Sequence, residues 1–105
     1  MTFDNRFTRE LPTDLETENH IRQVQRACFS RVSPTPVDRP RLAAYAREVA
    51  ELLGLIVDPG DSDDFANIFA GNRLLDGMDP FAMCYGGHQF GNWAGQLGDG
   101  RAINL

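Results

Sequence analysis

The chain contains no lysine, because all ten of its basic side chains are arginines. The P-loop and the ATP site of a protein kinase each rely on a lysine that contacts phosphate. Neither lysine is therefore present within these 105 residues. Basic residues are also outnumbered by acidic ones, and the net charge of −5 argues against a general nucleic-acid binder, which presents a basic face.

Cysteines and long apolar runs are scarce as well. Cys28 and Cys84 show no metal-ligand spacing and are too few for a disulfide scaffold, so we expect reduced, buried thiols rather than a disulfide. The first residues lack the apolar run of a signal peptide, and the run Phe81–Tyr85 is far shorter than the roughly 20 residues that cross a bilayer. We therefore expect a cytoplasmic protein whose partners include neither a membrane nor nucleic acid.

The remaining composition, 42% hydrophobic and 24% charged, is that of a globular protein with at most one small domain. Residues 1–39 are predicted to form an extended arm, with Phe3 and Phe7 as aromatic anchors and a strand-like segment at Ala27–Val32. The arm then passes through three closely spaced prolines that force an extended path, namely Pro34, Pro36 and Pro40.

Residues 40–77 are predicted to be helical. A first helix begins near Pro40, which suits a first-turn position, and stops at Gly54. A second, short helix is predicted to end at Gly71.

An acidic cluster precedes the second helix. Asp61 or Ser62 is a suitable cap for that helix, and further aspartates suit its positive end. A calcium loop needs acidic groups in a different order, with glycine and glutamate at fixed positions. Helix capping is therefore the preferred interpretation of the cluster Asp58, Asp61, Asp63 and Asp64.

Residues 78–105 are predicted to form strands around a glycine-rich turn. Six of the ten glycines lie between Gly86 and Gly100, a density that calls for tight turns or a close approach to the backbone. The segment PFAMCY is typical of a buried strand, and Arg101–Leu105 alternates as a strand does.

The turn Gly98-Asp99-Gly100 is compatible with two kinds of structure. A dinucleotide-binding motif, G-x-G-x-x-G, that starts at Gly98 needs glycine or alanine at position 103, where the chain has Ile103. The amides of Gly98 and Gly100 and the guanidinium of Arg101 nevertheless suit an anion. The alternative is a hairpin turn with a surface arginine, and the residues alone favour it.

Three other side chains near the glycines have structural and functional interpretations. His88 has no second ligand at usable spacing, so a structural hydrogen bond is favoured over a metal ligand or a general base. Trp93, together with Phe90, is predicted to be a core anchor beneath the glycine turns rather than a platform for base stacking.

The segment CYGGHQFGNWAGQLGDGRAINL resembles the hallmark segment of the selenoprotein O family, whose members are kinase-like protein adenylyltransferases. Three upstream segments agree with the family in order and approximate spacing: FDNRFTRELPTD, ACFSRVSPTPV and IFAGNRLLDGMDPFA. The resemblance covers essentially all 105 residues.

The resemblance implies a protein-kinase-like fold that binds ATP in a flipped orientation and transfers AMP to Ser, Thr or Tyr hydroxyls. It implies that the metal is Mg²⁺ or Mn²⁺ and that proteins of redox homeostasis are among the substrates. It also implies nucleotide contacts at Gly98, Gly100 and Arg101, and so favours a nucleotide site over a plain hairpin.

The resemblance also implies that essential groups lie elsewhere. The family's nucleotide-contacting lysine, catalytic aspartate and metal ligands are expected downstream of residue 105, so no catalytic or metal-binding residue is assigned here. We expect an α+β, N-terminal part of a kinase-like fold (an arm, two helices and the first N-lobe strands) that is inactive alone. The alternatives are a kinase-like phosphotransferase and a non-catalytic folding or interaction module.

Overall fold

The structure, a computed structural model, describes residues 2–55, 62–97 and 102–105. In these residues it contains three helices and six strands, which makes it a small α+β structure. The chain divides into two units. The first is formed by Met1–Phe3 and Thr35–Met78, and the second by Asp4–Pro34 and Asp79–Leu105.

The second unit is built on a mixed four-stranded sheet. Its strands lie in the order β1-β2-β3-β6, with β1 parallel to β2 and the other two pairs antiparallel. Their bounds are Thr13–Asp14 for β1, Phe29–Arg31 for β2, Phe81–Met83 for β3 and Ile103–Asn104 for β6. The strand predicted at Ala27–Val32 is thus confirmed as β2, shorter at both ends.

A separate two-stranded hairpin lies between β3 and β6 in the sequence. Its strands are β4, Tyr85–Gln89, and β5, Asn92–Leu97. The segment PFAMCY, which the sequence predicts as one strand, is therefore divided, because β3 ends at Met83 and β4 begins at Tyr85. The intervening Cys84 still donates its backbone N–H to the Cys28 carbonyl, so the change of sheet occurs just after it.

The core of the second unit is a cluster of three phenylalanine rings. Phe7 lies 4.9 Å from Phe81 and 5.6 Å from Phe29, centroid to centroid, and Phe29 is fully buried. Phe7 belongs to helix α1, Arg6–Glu10, in a region that is predicted from the sequence to be an extended arm. This helix has no side-chain cap, so its packing through Phe7 accounts for it better than its own sequence does.

The first unit contains helices α2, Arg47–Leu52, and α3, Ser62–Phe69. The predicted start of the first helix at Pro40 is wrong, since α2 begins seven residues later. None of the residues from 41 to 46 has a side chain suited to an N-cap, and Ala46, which occupies that position, makes no side-chain cap bond.

Both predicted helix stops in this unit are confirmed. Gly54 and Gly71 have φ angles of 67° and 79°, which glycine adopts without a steric penalty. Asp63 and Asp64 lie in the first turn of α3, which agrees with the capping interpretation, whereas Asp58 and Asp61 lie outside the described residues.

The proline-rich segment of the first unit is held by one side chain. Asn72 accepts the Val37 backbone N–H and donates to the Val37 carbonyl, both at 2.8 Å. This pair of bonds imitates the pairing between two strands at a segment whose prolines cannot complete a ladder. No helix in the described part of the chain is long and apolar enough to span a membrane.

Candidate functional site

The three predicted nucleotide contacts, Gly98, Gly100 and Arg101, lie outside the described residues. Their position in the chain is nevertheless defined by their neighbours. Strand β5 ends at Leu97, immediately before the segment, and the description resumes at Ala102, just before β6. The predicted turn therefore connects the hairpin to the edge strand of the four-stranded sheet.

A cavity of about 360 Å³ is lined by residues that precede and follow this segment in the sequence. Its described walls are Met83, Tyr85, Ala102 and Asn104, so it lies where β3, β4 and β6 meet. The volume is within the range of small-molecule sites, which are mostly apolar with a few polar groups. One lining residue, Ala102, directly follows Arg101 of the predicted anion-binding turn in the sequence.

Strand pairing fixes the wall of this cavity. Phe81 pairs with Asn104 in antiparallel register, and the Asn104 side-chain amide donates to the Phe81 carbonyl at 3.4 Å. Such a bond restrains the amide at the edge of the sheet. The segment that follows the predicted turn is thereby attached to β3, the neighbour of the buried strand β2.

The first glycines of the cluster serve the hairpin. A Cβ added to Gly86 would stand 2.5 Å from Cη2 and 2.9 Å from Cζ2 of Trp93, so the indole end lies directly on the glycine. Gly86 also flanks the irregularity in the β4–β5 register, between Gly86 and His88. The glycine here is required by close approach, one of the two reasons that the sequence suggests.

At the tip of the hairpin, glycine is required for the second reason that the sequence suggests, which is a tight turn. Gln89 pairs with Asn92, so Phe90 and Gly91 form a two-residue connection, with φ angles of 50° and 81°. Two positive φ values in succession are typical of a type I′ turn, whose twist suits paired strands. Gly91 is well suited to a positive φ at the second position of the turn, but Phe90 is poorly suited to a positive φ at the first.

A third glycine contact ties the hairpin to the N-terminal half of the second unit. Gly95 has a φ of 78° and lies against the Gln23 side chain, whose amide donates to the Ala94 carbonyl at 2.7 Å. Positive φ and close approach coincide at this glycine, so a larger residue is disfavoured for both reasons.

Trp93 and Phe90 are not core anchors, contrary to the sequence-based prediction. The Trp93 side chain is 61% exposed and Phe90 is fully exposed at 104%. Phe90 occupies the turn with its ring exposed, and Trp93 lies against Gly86 of the opposite strand. The exposed His88 contacts the Trp93 ring edge-on, with 5.3 Å between ring centroids.

A polar cluster lies on one face of the four-stranded sheet. The Arg22 guanidinium donates to Asp14 Oδ2 at 2.6 Å and to the buried Ser30 hydroxyl at 2.9 Å. Hydrogen bonding from Arg22 holds the pKa of Asp14 below its ordinary value. With side chains only 13% and 24% exposed, this pair is better shielded from water than the other ion pairs described.

A second ion pair links Asp79 to Arg31 at 3.1 Å. A hydrogen bond from Thr8, followed by one from Arg31, lowers the pKa of Asp79. The surroundings of Asp14 and Asp79 therefore favour the ionised carboxylates, and each carboxylate is already paired with an arginine. Among the described residues, no group of three or more His, Cys, Asp or Glu side chains is arranged to hold a metal ion.

Comparison with known proteins identifies the family. The family model for protein adenylyltransferase SelO matches residues 12–105, so this chain belongs to the SelO family. Similar curated proteins carry the name protein nucleotidyltransferase YdiU. Those of Rhodopirellula baltica and Azoarcus sp. (strain BH72) are 66% and 65% identical to this chain over all 105 residues.

The similarity extends to relatives of lower identity. The YdiU protein of Flavobacterium johnsoniae is 50% identical over the same 105 residues. The alignments cover 19% of the Rhodopirellula protein and 20% of each of the other two, so the chain spans about a fifth of the length of these relatives. No solved structure matches the chain.

Proposed function

We propose that this chain is the N-terminal part of a protein adenylyltransferase that transfers AMP from ATP to Ser, Thr or Tyr hydroxyls of other proteins. The observation that carries the proposal is the SelO family match, which includes the whole glycine-rich segment. The relatives' name, nucleotidyltransferase, supports the same class of reaction. Proteins of redox homeostasis are the substrates that we propose to test first.

In this proposal the turn after β5 holds the phosphates of ATP. The Gly98 and Gly100 amides approach oxygen atoms that a Cβ would keep at a distance, and Arg101 offers a planar pair of donors. The cavity lined by Tyr85 and Asn104 has the volume for part of a nucleotide, and its lining residue Ala102 directly follows Arg101 in the sequence. We further propose that these strands belong to a kinase-like lobe that binds ATP in a flipped orientation.

The reaction requires little covalent chemistry from this part of the protein. The substrate hydroxyl oxygen forms a bond to the α-phosphorus, the bond to pyrophosphate breaks, and the hydroxyl proton passes to a base. Held donors stabilise the charge that develops on the phosphate oxygens. The described residues do not fit a metal site, so we propose that the ligands of Mg²⁺ or Mn²⁺ lie on the remainder of the full-length protein.

The position of the label in ATP tests the proposal. Full-length protein containing this chain is incubated with a substrate protein and ATP labelled on either the α- or the γ-phosphate. Adenylyl transfer places the α-label in protein and leaves the γ-label in pyrophosphate. Transfer of the γ-label instead would identify a phosphotransferase, and transfer of neither would support a non-catalytic module. We expect no transfer by the 105-residue chain alone, since it contains no lysine to contact the phosphates.

A further inference from the structure

The two cysteines, which are 56 positions apart in the sequence, flank two adjacent strands: Cys28 directly precedes β2 and Cys84 directly follows β3. Phe29 pairs with Met83 in the antiparallel register of β2 and β3, and one step beyond that pair are Cys28 and Cys84. The backbone N–H of Cys84 donates to the Cys28 carbonyl at 2.9 Å, so one backbone hydrogen bond joins the cysteines directly, while the Cys28 N–H donates to the Pro12 carbonyl. Directly opposed residues of antiparallel strands project from the same face of a sheet.

The backbone spacing of such a pair suits a disulfide. Opposed residues in antiparallel strands have Cα atoms roughly 4.5–5.5 Å apart. Disulfide-bonded cysteines have Cα atoms about 4.4–6.8 Å apart, so the strands need not separate or slide for a bond to form. Both cysteines are free thiols and half-buried in the structure.

The environment of the thiols is consistent with their closeness. Burial raises the pKa of the Cys84 thiol, and the charges of Asp14 and Cys28 raise it further, against the opposing effects of Ser30 and Arg22. A protonated Cys84 favours the dithiol form that the structure describes.

We propose that Cys28 and Cys84 are a disulfide-forming pair, which a small-molecule disulfide oxidises by exchange. One cysteine thiolate attacks the small disulfide, forms a mixed disulfide and releases one thiolate. The other cysteine then attacks the protein-bound sulfur, closes the Cys28–Cys84 bond and releases the second thiolate. The two protons that the cysteines lose are taken up, by way of water, by the two released thiolates, so the small disulfide is reduced to two thiols.

The position of this bond in the chain gives it a structural consequence. The segment between Cys28 and Cys84 contains the whole of Thr35–Met78, the main part of the first unit. A bond here joins the residue just before β2 to the residue just after β3, so the loop that it closes includes both strands as well as this unit. It restricts the unfolded chain over a long loop and stabilises the folded form.

Thiol–disulfide equilibrium against glutathione tests the pairing. The 105-residue chain is equilibrated in mixtures of reduced and oxidised glutathione, in buffer and in concentrated urea. The remaining free thiols are then alkylated, and the mass of the product is measured by mass spectrometry. We expect the loss of two hydrogen atoms in buffer, and a trypsin product in which Ala27–Arg31 is linked to Leu74–Arg101. The effective concentration of one thiol at the other should be at least about tenfold higher in buffer than in urea, as folding holds the strands together.

Single substitutions provide the controls. Cys28→Ser and Cys84→Ser cannot close the bond, and each should yield at most a glutathione adduct. The oxidised chain should unfold at a temperature higher by about 5 °C or more than the reduced chain, while oxidised glutathione leaves both variants without that gain. Equal effective concentrations in buffer and in urea, or glutathione adducts in place of the internal bond, would overturn the proposal.

Discussion

At the scale of single residues, Gly86 and Gly87 form a natural comparison. A Cβ at Gly86 would meet the Trp93 ring, whereas a Cβ at Gly87 would meet nothing within 4 Å, and Gly87 has no positive φ. We therefore expect Gly86→Ala to displace the indole. The loss of stability should be about 1 kcal/mol, the low end for overpacking, because the displaced end of Trp93 is free to swing outward.

Trp93 is the chain's single tryptophan, so its fluorescence reports this change directly. Gly86→Ala should move the emission maximum to longer wavelength as the ring becomes more exposed. Gly87→Ala is the matched control and should leave the emission unchanged, with stability equal or raised by about 0.4–1 kcal/mol. Identical spectra for the two variants would show that Trp93 does not rest on Gly86.

A second prediction at this scale concerns Arg101 in the full-length protein. A charged hydrogen bond contributes about 1.5–3 kcal/mol, so Arg101→Ala should weaken ATP binding by roughly 10- to 150-fold. Arg101→Lys should restore only part of the loss, because an ammonium group lacks the planar pair of donors. Titration calorimetry with ATP provides the measurement. Unchanged affinity in Arg101→Ala would exclude this residue from the site and return the turn to the plain hairpin interpretation.

At the scale of the element, the β4–β5 turn carries an unsuitable residue. Phe90 has a φ of 50° and a fully exposed ring, so it combines left-handed strain with no packing in the described residues. Asparagine is preferred at this position of a type I′ turn. We expect Phe90→Asn to raise the free energy of unfolding by about 0.5–1 kcal/mol, part of the roughly 1–2 kcal/mol that left-handed backbone costs other residues.

Phe90→Ala separates the two causes in that prediction. Alanine removes the aromatic ring but keeps the penalty of a Cβ in left-handed backbone, so it should give little or none of the gain. Urea denaturation of the three proteins measures the difference. If the asparagine variant were the least stable of the three, the ring would have to be packing against another part of the protein.

At the scale of the whole molecule, two carboxylates connect stability to pH. Asp14 and Asp79 have pKa values lowered by their hydrogen-bonding partners, below the ordinary value of about 3.9. A lowered folded-state pKa means that the stabilisation is fully present above the unfolded-state pKa. It is lost as the pH falls through the folded-state value. We therefore expect the free energy of unfolding to decrease below about pH 4.

Substitution of Asp14 tests this dependence. Asp14→Asn should lower stability at pH 7 by about 1–3 kcal/mol, because Arg22 loses its charged partner. The same variant should show a shallower decrease in acid, measured by urea denaturation across the pH range. Asp38→Asn is the control, since its ion pair with Arg39 is 81–86% exposed and contributes little. An unaltered acid slope in Asp14→Asn would contradict the assignment.

The helices show where prediction from the sequence succeeds. Helix α3 and the stops at Gly54 and Gly71 are encoded locally, in first-turn aspartates and in glycines that adopt positive φ. The start of α2 is not encoded in this way. Apolar spacing continues upstream of Arg47, but no capping side chain marks the true beginning.

The candidate site also has one part that local sequence predicts and one part that it does not. The segment with Gly98, Gly100 and Arg101 is recognisable from its motif, and the family to which it belongs is confirmed by a match that includes it. The cavity lined by Met83, Tyr85, Ala102 and Asn104 was not predicted, because its walls come from strands that are separate in the sequence. Met83 and Asn104 meet only through the β3–β6 pairing, which no short motif reveals.

The amino-acid sequence by itself determined the family, the helix stops and the need for glycine in the hairpin, because each depends on local residue order or backbone freedom. Only the tertiary structure decided that Trp93 lies on Gly86 at the surface while Phe7, Phe29 and Phe81 form the core. The same holds for Cys28 opposite Cys84. Hydrophobicity indicates that a side chain prefers burial, but its actual partners depend on strand register, which is a property of the whole fold.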